Sequence, residues 1–338
     1  MPVLDVFDQS AFSALSLAAR INNPEIIPFV PRRLDDLGLF TAEPITTDKV
    51  MIERYNGKLQ LVPTSPRGAP PERNLSEKRD ARVFRVPQIQ LEDRILADEV
   101  LGVRAFGMQS ELQTVMSAAD RRWRTMFNSI DATREHLRMG ALKGKILDSN
   151  GSTELFDLFA EFNVSQASEI DFALGTATTN VRGKCSQVIR LIEDALEDAP
   201  YQGVHGFVSS QFMDALADHS KVKDAWERWQ NGEALRMRTA RRMFFYGGIM
   251  FEEYRGKVGG VDFIADNKAT FFPVGVPGLF QEYFAPADFV ETVNTPGLPR
   301  YAKVAPDAKY NRYVDLLTQS NPLPMCTRPN VLIPAKQA

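Results

Sequence analysis

Three histidines and two cysteines are the residues of this 338-residue chain best suited to acid–base, nucleophilic or metal chemistry. Their spacing argues against all three. His136 stands beside Glu135 inside a helical pattern, His205 precedes a strand pattern and His219 closes a helical one. None has a second His or Cys at ligand spacing, and a single His per element is usually packing or capping. Cys185 has no base beside it in sequence, and Cys326 lies far away with no CxxC, which disfavours zinc and a disulfide scaffold alike. No GxSxG, HExxH or phosphate-loop motif is present. The glycines of GVPGLF (275–280) and GGVDF (259–263) do not follow the strand-to-helix dinucleotide pattern. Glu252 and Glu253 are neighbours on a strand pattern and so point to opposite faces, and the acidic run 193–198 lies on a helix surface; solvation is the better reading of both. The expectation is no catalytic, metal or cofactor site.

Composition narrows the class further. An apolar fraction of 44% supports a real core, and the length fits one large or two ordinary domains. A net charge of −3 is not that of a basic nucleic-acid binder. The N-terminus MPVLDVFDQSAFSAL has early acids and no basic start, unlike a secretory signal. No run approaches the roughly 20 apolar residues of a membrane helix. The cysteine usage suits a reducing, cytoplasm-like compartment.

The elements that would position any site come in an unusual order. Pro24, Pro28 and Pro31 break residues 1–45 into an extended arm, either strapped to its own subunit or laid on a neighbour. Strand patterns at 49–62 and 81–91 flank a polar, proline-broken stretch. They read as a projecting hairpin with Arg67, Arg73, Arg79, Arg82 and Arg85 about its tip, or as a loose surface loop. From 108 to 143 apolar residues recur at helical steps, including Ala119, Trp123, Phe127, Ile130 and Leu137, and predict one helix roughly 50 Å long. Its arginines, Arg121, Arg122, Arg124, Arg134 and Arg138, form a local basic excess: a solvated face, or one turned to a polyanion.

Beyond Gly144, strands are expected at 145–147, 154–162, 244–254, 261–265 and 271–275. Helices are expected at 186–196, after a Ser209 or Ser210 cap, and at 221–229. The span from about 152 to 289 thus reads as a compact α+β module. Short extended runs at 301–304, 312–317 and 331–333 are punctuated by prolines.

The wording of the loop and the C-terminus, RGAPPERN, FRVPQIQLED, TPGLPRYAK and LLTQSNPLPMCTRP, resembles the major capsid proteins of lambda-like tailed bacteriophages. The order of parts is similar to the Hong Kong 97-type capsid fold, which is α+β. The resemblance implies an N-terminal arm (1–48), an extended E-loop hairpin (49–92), a P domain with a long spine helix (93–151), an A domain (152–290) and return strands (291–338). It implies a structural protein assembling with itself into pentamers and hexamers, an icosahedral head around double-stranded DNA, and no cofactor. The hairpin arginines would contact neighbouring subunits, and the helix arginines would face packaged DNA without reading sequence. Scaffolding, portal and decoration proteins would be separate partners, and assembly would take place in the host cytoplasm, without a membrane. An encapsulin-like shell is the first alternative, although the arm here is proline-broken; a soluble enzyme with a long inserted hairpin is the second.

Overall fold

The computed structural model describes residues 33–55, 79–100, 115–197, 199–231, 242–258, 261–310 and 312–337. A short helix α1 (Arg33–Asp36) leads into strand β1 (Thr41–Pro44). Strands β2 (Lys49–Tyr55) and β3 (Arg79–Arg85) pair antiparallel, from Lys49 opposite Arg85 to Tyr55 opposite Arg79. The two expected hairpin strands therefore do pair, while residues 56–78 lie outside the described residues. The single strand expected at 81–91 is two strands. Pro87 offers no N–H to continue the ladder, and β4 (Ile89–Leu96) leaves the hairpin for another sheet. Helix α2 (Ala97–Val100) follows.

The long helix α3 (Val115–Lys143) has 29 residues, all within the expected 108–143; residues 108–114 lie outside the described residues. It stops at Gly144, whose φ of +79° is a left-handed conformation open to glycine, and whose N–H bonds the Ala141 carbonyl at 3.2 Å. A Cβ at Gly144 would lie 2.2 Å from the Phe159 ring. One turn earlier, a Cβ on Gly140 would lie 2.9 Å from the backbone of Ile146, so β5 (Lys145–Leu147) rests directly on the helix. Strand β6 (Glu154–Asp157) pairs with β5. The strand expected to run to 162 ends at Asp157, whose carboxylate accepts the Phe159 and Ala160 N–H groups and starts helix α4 (Leu158–Glu161).

The central module contains β7 (Ile170–Asp171), α5 (Val181–Leu196), β8 (Gly203–Val208), α6 (Ser210–Asp218) and α7 (Lys223–Asn231). Ser209 is the cap of α6, its hydroxyl accepting from the Phe212 N–H at 3.2 Å. The strand expected at 244–254 folds back at Gly247 and Gly248 into β9 (Met243–Tyr246) and β10 (Ile249–Glu253). After them come β11 (Lys257–Val258), β12 (Val261–Asp262), β13 (Lys268–Val274) and β14 (Phe280–Phe284). The C-terminal strands are β15 (Tyr301–Pro306), β16 (Tyr313–Ser320), β17 (Pro322–Cys326) and β18 (Ile333–Lys336). Of the extended run expected at 331–333, Val331 closes a 3₁₀ turn (Pro329–Val331) and Ile333 begins β18.

Among the described residues, three sheets of three or more strands organise most of these strands, while β2–β3, β5–β6 and β11–β12 form two-stranded pairs. A six-stranded sheet runs β7-β18-β13-β8-β10-β9, so the final strand of the chain enters the central module's own sheet. Its aromatic core includes Phe172, Phe207, Phe212, Phe251 and Phe271, all 0% exposed. A second sheet, β15-β16-β4, lies under the N-terminal half of α3, and a third, β1-β14-β17, lies near its C-terminal half.

Candidate functional site

The residues most suited to catalysis are all occupied. His136 contacts the Asp148 carbonyl at 3.1 Å and His219 the Thr176 carbonyl at 3.1 Å. His205 lies within β8, not ahead of a strand, and meets the Glu252 carboxylate at 3.0 Å. Burial pushes both cysteine thiols up to about 12, far from the range of a nucleophile at neutral pH. Glu252 and Glu253 do point to opposite sides of β10, but Glu252 is 0% exposed and ion-paired, so solvation is the wrong account of it. Among the described residues, no group of three or more His, Cys, Asp or Glu could hold a metal. No helix among them is long and apolar enough to cross a membrane.

What the fold builds instead is a balanced buried charge network around the C-terminal half of α3. Asp131, Arg134, Glu135 and Arg138 follow one another at helical steps on a single face, and each is buried. Glu282 of β14 receives Arg134 at 2.9 Å and also Arg138. Asp131 receives Arg300 at 3.1 Å through Nε, and Arg138 reaches Asp35 of α1. Three guanidinium groups thus face three carboxylates. Burial alone would raise the Glu282 carboxyl, but Arg134 and Arg138 hold it below its ordinary value.

The network continues into the start of the chain. Arg33 grips Glu252 with two hydrogen bonds, at 2.6 and 2.7 Å. Desolvation of Glu252 works against ionisation, yet His205 and Arg33 keep its carboxyl lowered. The Leu34 N–H and the Tyr254 hydroxyl both donate to Glu135, at 3.0 and 3.2 Å. Burial is the main influence on Glu135 and raises it. Three residues of α1, Arg33, Leu34 and Asp35, therefore tie the N-terminal side of the chain to α3 and to the central sheet at once.

This corrects the reading of Arg134 and Arg138 as DNA-facing. They are 8% and 5% exposed and neutralised inside the subunit. Arg122 is part-exposed and shared between Asp93 at 2.8 Å and Glu99 at 2.6 Å, while Arg121 and Arg124 are exposed. Of the hairpin arginines, Arg67 and Arg73 lie outside the described residues. Arg79 begins β3, Arg82 is half-buried and Arg85 is exposed at the hairpin base. On the hairpin's open face Met51 and Val83 stand directly opposite each other, 63% and 57% exposed, next to the exposed pair Lys49 and Arg85.

The sequence reading missed Glu282, Arg300, Arg33 and Glu252 as one network. A signal for half of it was present, because Asp131, Arg134 and Arg138 share the helical face of Phe127, and charges at core spacing imply buried partners. Nothing local marked the distant carboxylates.

The comparisons with known proteins agree with this architecture. The sequence profile of the phage major capsid protein E family matches residues 13–337. The chain is 30% identical to the major capsid protein of Pseudomonas phage KPP10 over 336 residues, covering 93% of this chain and 94% of that one. It is 25% identical to the major capsid protein of Salmonella phage Felix O1 over 360 residues, covering 96% of each. A crystal structure of a prophage capsid protein from E. coli CFT073 superposes with a TM-score of 0.56 at 12% identity, over 96% of this chain and 98% of that one. At that identity the likeness is one of fold, and the fold is the α+β, Hong Kong 97-like capsid fold. A match running from residue 13 to residue 337, together with relatives aligned over nearly the whole chain, leaves one assignment: the chain belongs to the phage major capsid protein E family.

Proposed function

We propose that this chain is the structural subunit of an icosahedral phage head, assembling through pentamers and hexamers around double-stranded DNA and performing no catalytic step. The observation that carries the reading furthest is the uncovered apolar pair Met51 and Val83 on a two-stranded ribbon. One face of the ribbon is seated in its own subunit through Val50, Ile52, Phe84 and Val86, but a two-stranded ribbon is marginal alone and its Met51–Val83 face is left uncovered. Laid on a neighbour, it gains the area that a large obligate interface needs, and repeated head-to-tail contacts close into rings. The exposed Arg85, and the arginines of residues 56–78, would then meet carboxylates of that neighbour. Arg121 and Arg124 are the helix cations left to meet packaged DNA, through its backbone and in a salt-dependent manner.

The same proposal carries the division into arm (1–48), hairpin (49–92), long-helix domain (93–151), central module (152–290) and return strands (291–338). It also includes assembly in the host cytoplasm, with scaffolding, portal and decoration proteins as separate chains. Relatives named as phage capsid proteins favour this over an encapsulin-like compartment.

Negative-stain microscopy beside size-exclusion chromatography of the full chain tests it. Closed particles tens of nanometres across, or rings of five and six, are expected. Monomers alone, even with scaffold supplied, would overturn the shell assignment. Replacing Met51 and Val83 by Lys is expected to leave subunit stability within about 0.5 kcal/mol while closed particles disappear. Normal particles from that variant would remove the hairpin face from the interface.

A further inference from the structure

A half-open cavity of about 230 Å³ lies where the C-terminal end of α3 meets the six-stranded sheet. Leu142 of the helix, Ala269 of β13, and Ile264 and Leu332 give it apolar walls, and Lys143 and Thr270 add polar groups. The volume exceeds the ~150 Å³ that holds a benzene ring and falls short of the roughly 300–1,000 Å³ of drug-sized sites.

Lys143 is the unusual member. Among the described residues no carboxylate pairs with its ammonium and no hydrogen-bond acceptor is assigned to it. The other titratable groups of the lining, Lys268 and Glu169, are paired with each other. Desolvation by burial pulls the Lys143 amine down to about 8, so at pH 7 it remains mostly protonated. The negative end of the helix dipole eases that charge only in part. A cation among apolar walls without a counter-ion is a costly arrangement that an incoming anion relieves.

We infer that this cavity binds a small amphipathic carboxylate, its carboxylate against Lys143 and its aliphatic body against Leu142, Ile264, Ala269 and Leu332. Thr270 lies among the lining groups as a further hydrogen-bond donor. The occupant touches both the long helix and the central sheet, so it stiffens the joint between them. Binding is proton-linked: the carboxylate favours the charged amine, and affinity falls as pH rises through about 8.

Octanoate titrated calorimetrically into the full-length protein at pH 6.5 and again at pH 9 is the test, with octanol as the neutral control. Saturable octanoate binding is expected, weaker at pH 9, and weakened about tenfold or more in Lys143→Met. Equal binding of octanol and octanoate, or unchanged binding in Lys143→Met, would overturn the inference. The wild-type protein gives a second readout that depends on no variant. Octanoate, and not octanol, is expected to shield Lys143 from acylation by acetic anhydride, read by peptide mass spectrometry. Acylation of Lys143 at the same rate with and without octanoate would sink the site even if some heat of binding were seen. Particle formation, scored separately by microscopy, tells failure of this site from failure of the shell reading.

Discussion

The two halves of α3 carry arginines along the same helix yet handle them in opposite ways. In the N-terminal half, Trp123, Met126, Phe127 and Ile130 pack on the sheet β15-β16-β4, while Arg121 and Arg124 remain in solvent. In the C-terminal half the helix is enclosed. Leu137, Met139, Ala141 and Leu142 join the main core, and Arg134 and Arg138 are folded into ion pairs with Glu282 and Asp35. The first half is fixed by non-directional apolar contact, which tolerates small slips. The second is fixed by guanidinium–carboxylate geometry, which holds one relation between helix, β14 and α1. A count of basic residues along a helix therefore does not say what they face. The answer depends on which strand brings an acid to them.

The comparison breaks most visibly at Glu282. Glu282→Leu leaves Arg134 and Arg138 without their shared carboxylate in a buried site. It is expected to cost roughly 3–5 kcal/mol, read as a fall in the urea midpoint of the soluble subunit. Replacing all three by Leu, Met and Met is expected to restore most of that loss, because the penalty lies in the stranded charges. If the single variant were as stable as the wild type, the network would be decorative and the contrast between the halves would fall.

In the other half the corresponding lesion is a cavity. Ile130 is 0% exposed, and Ile130→Ala is expected to cost about 2–4 kcal/mol, with no change in the pH or salt dependence of unfolding. That independence is what separates an apolar seat from an ionic one.

Acid sharpens the contrast next. Glu282 and Glu252 both titrate lower in the folded chain than in the unfolded one. The stability they supply is therefore complete above the ordinary value of 4.5 and is lost as pH falls through their folded values. Glu135, raised by burial, works the other way and is relieved by acid, which blunts the limb. Stability measured from pH 7 down to 3 is expected to fall in the wild type and to fall less steeply in the variant lacking Glu282, Arg134 and Arg138. Parallel curves would mean that the acid limb belongs to other carboxylates.

How much of this was legible in the sequence follows from the range of each signal. The long helix, the Ser209 cap and the two hairpin strands are marked by periodicity and capping within a few residues. The stops at Pro87 and Asp157 were equally local but were overridden by the apolar runs about them, so two strands were drawn too long. The pairing of Arg33 with Glu252, 219 positions apart, left no local trace. Nor did the return of β18 to the central sheet, since β18 is only four residues, Ile-Pro-Ala-Lys, too short to mark which sheet it joins. The DNA-facing set was too wide for the same reason, since Arg134 and Arg138 are buried while Arg121 and Arg124 stay exposed: Arg121 and Arg138 look alike until Glu282 and Asp35 are placed.

The smallest effect is expected at Arg122, the one arginine of the N-terminal half that has partners comparable to those of Arg134. It bridges Asp93 at 2.8 Å and Glu99 at 2.6 Å, but its side chain is 36% exposed, and those acids are 32% and 39% exposed. Water and salt screen such a pair, so Arg122→Ala is expected to cost under about 1 kcal/mol. The remaining difference from wild type should vanish in roughly 1 M salt, where the screening length is about 3 Å. Glu282→Leu should keep most of its penalty in the same salt, because its partners are sealed from counter-ions. Unfolding both variants at low and high salt thus isolates burial from charge. If Arg122→Ala proved as costly as Glu282→Leu, and equally insensitive to salt, the division of the helix into a solvated half and a sealed half would be wrong at its N-terminal end.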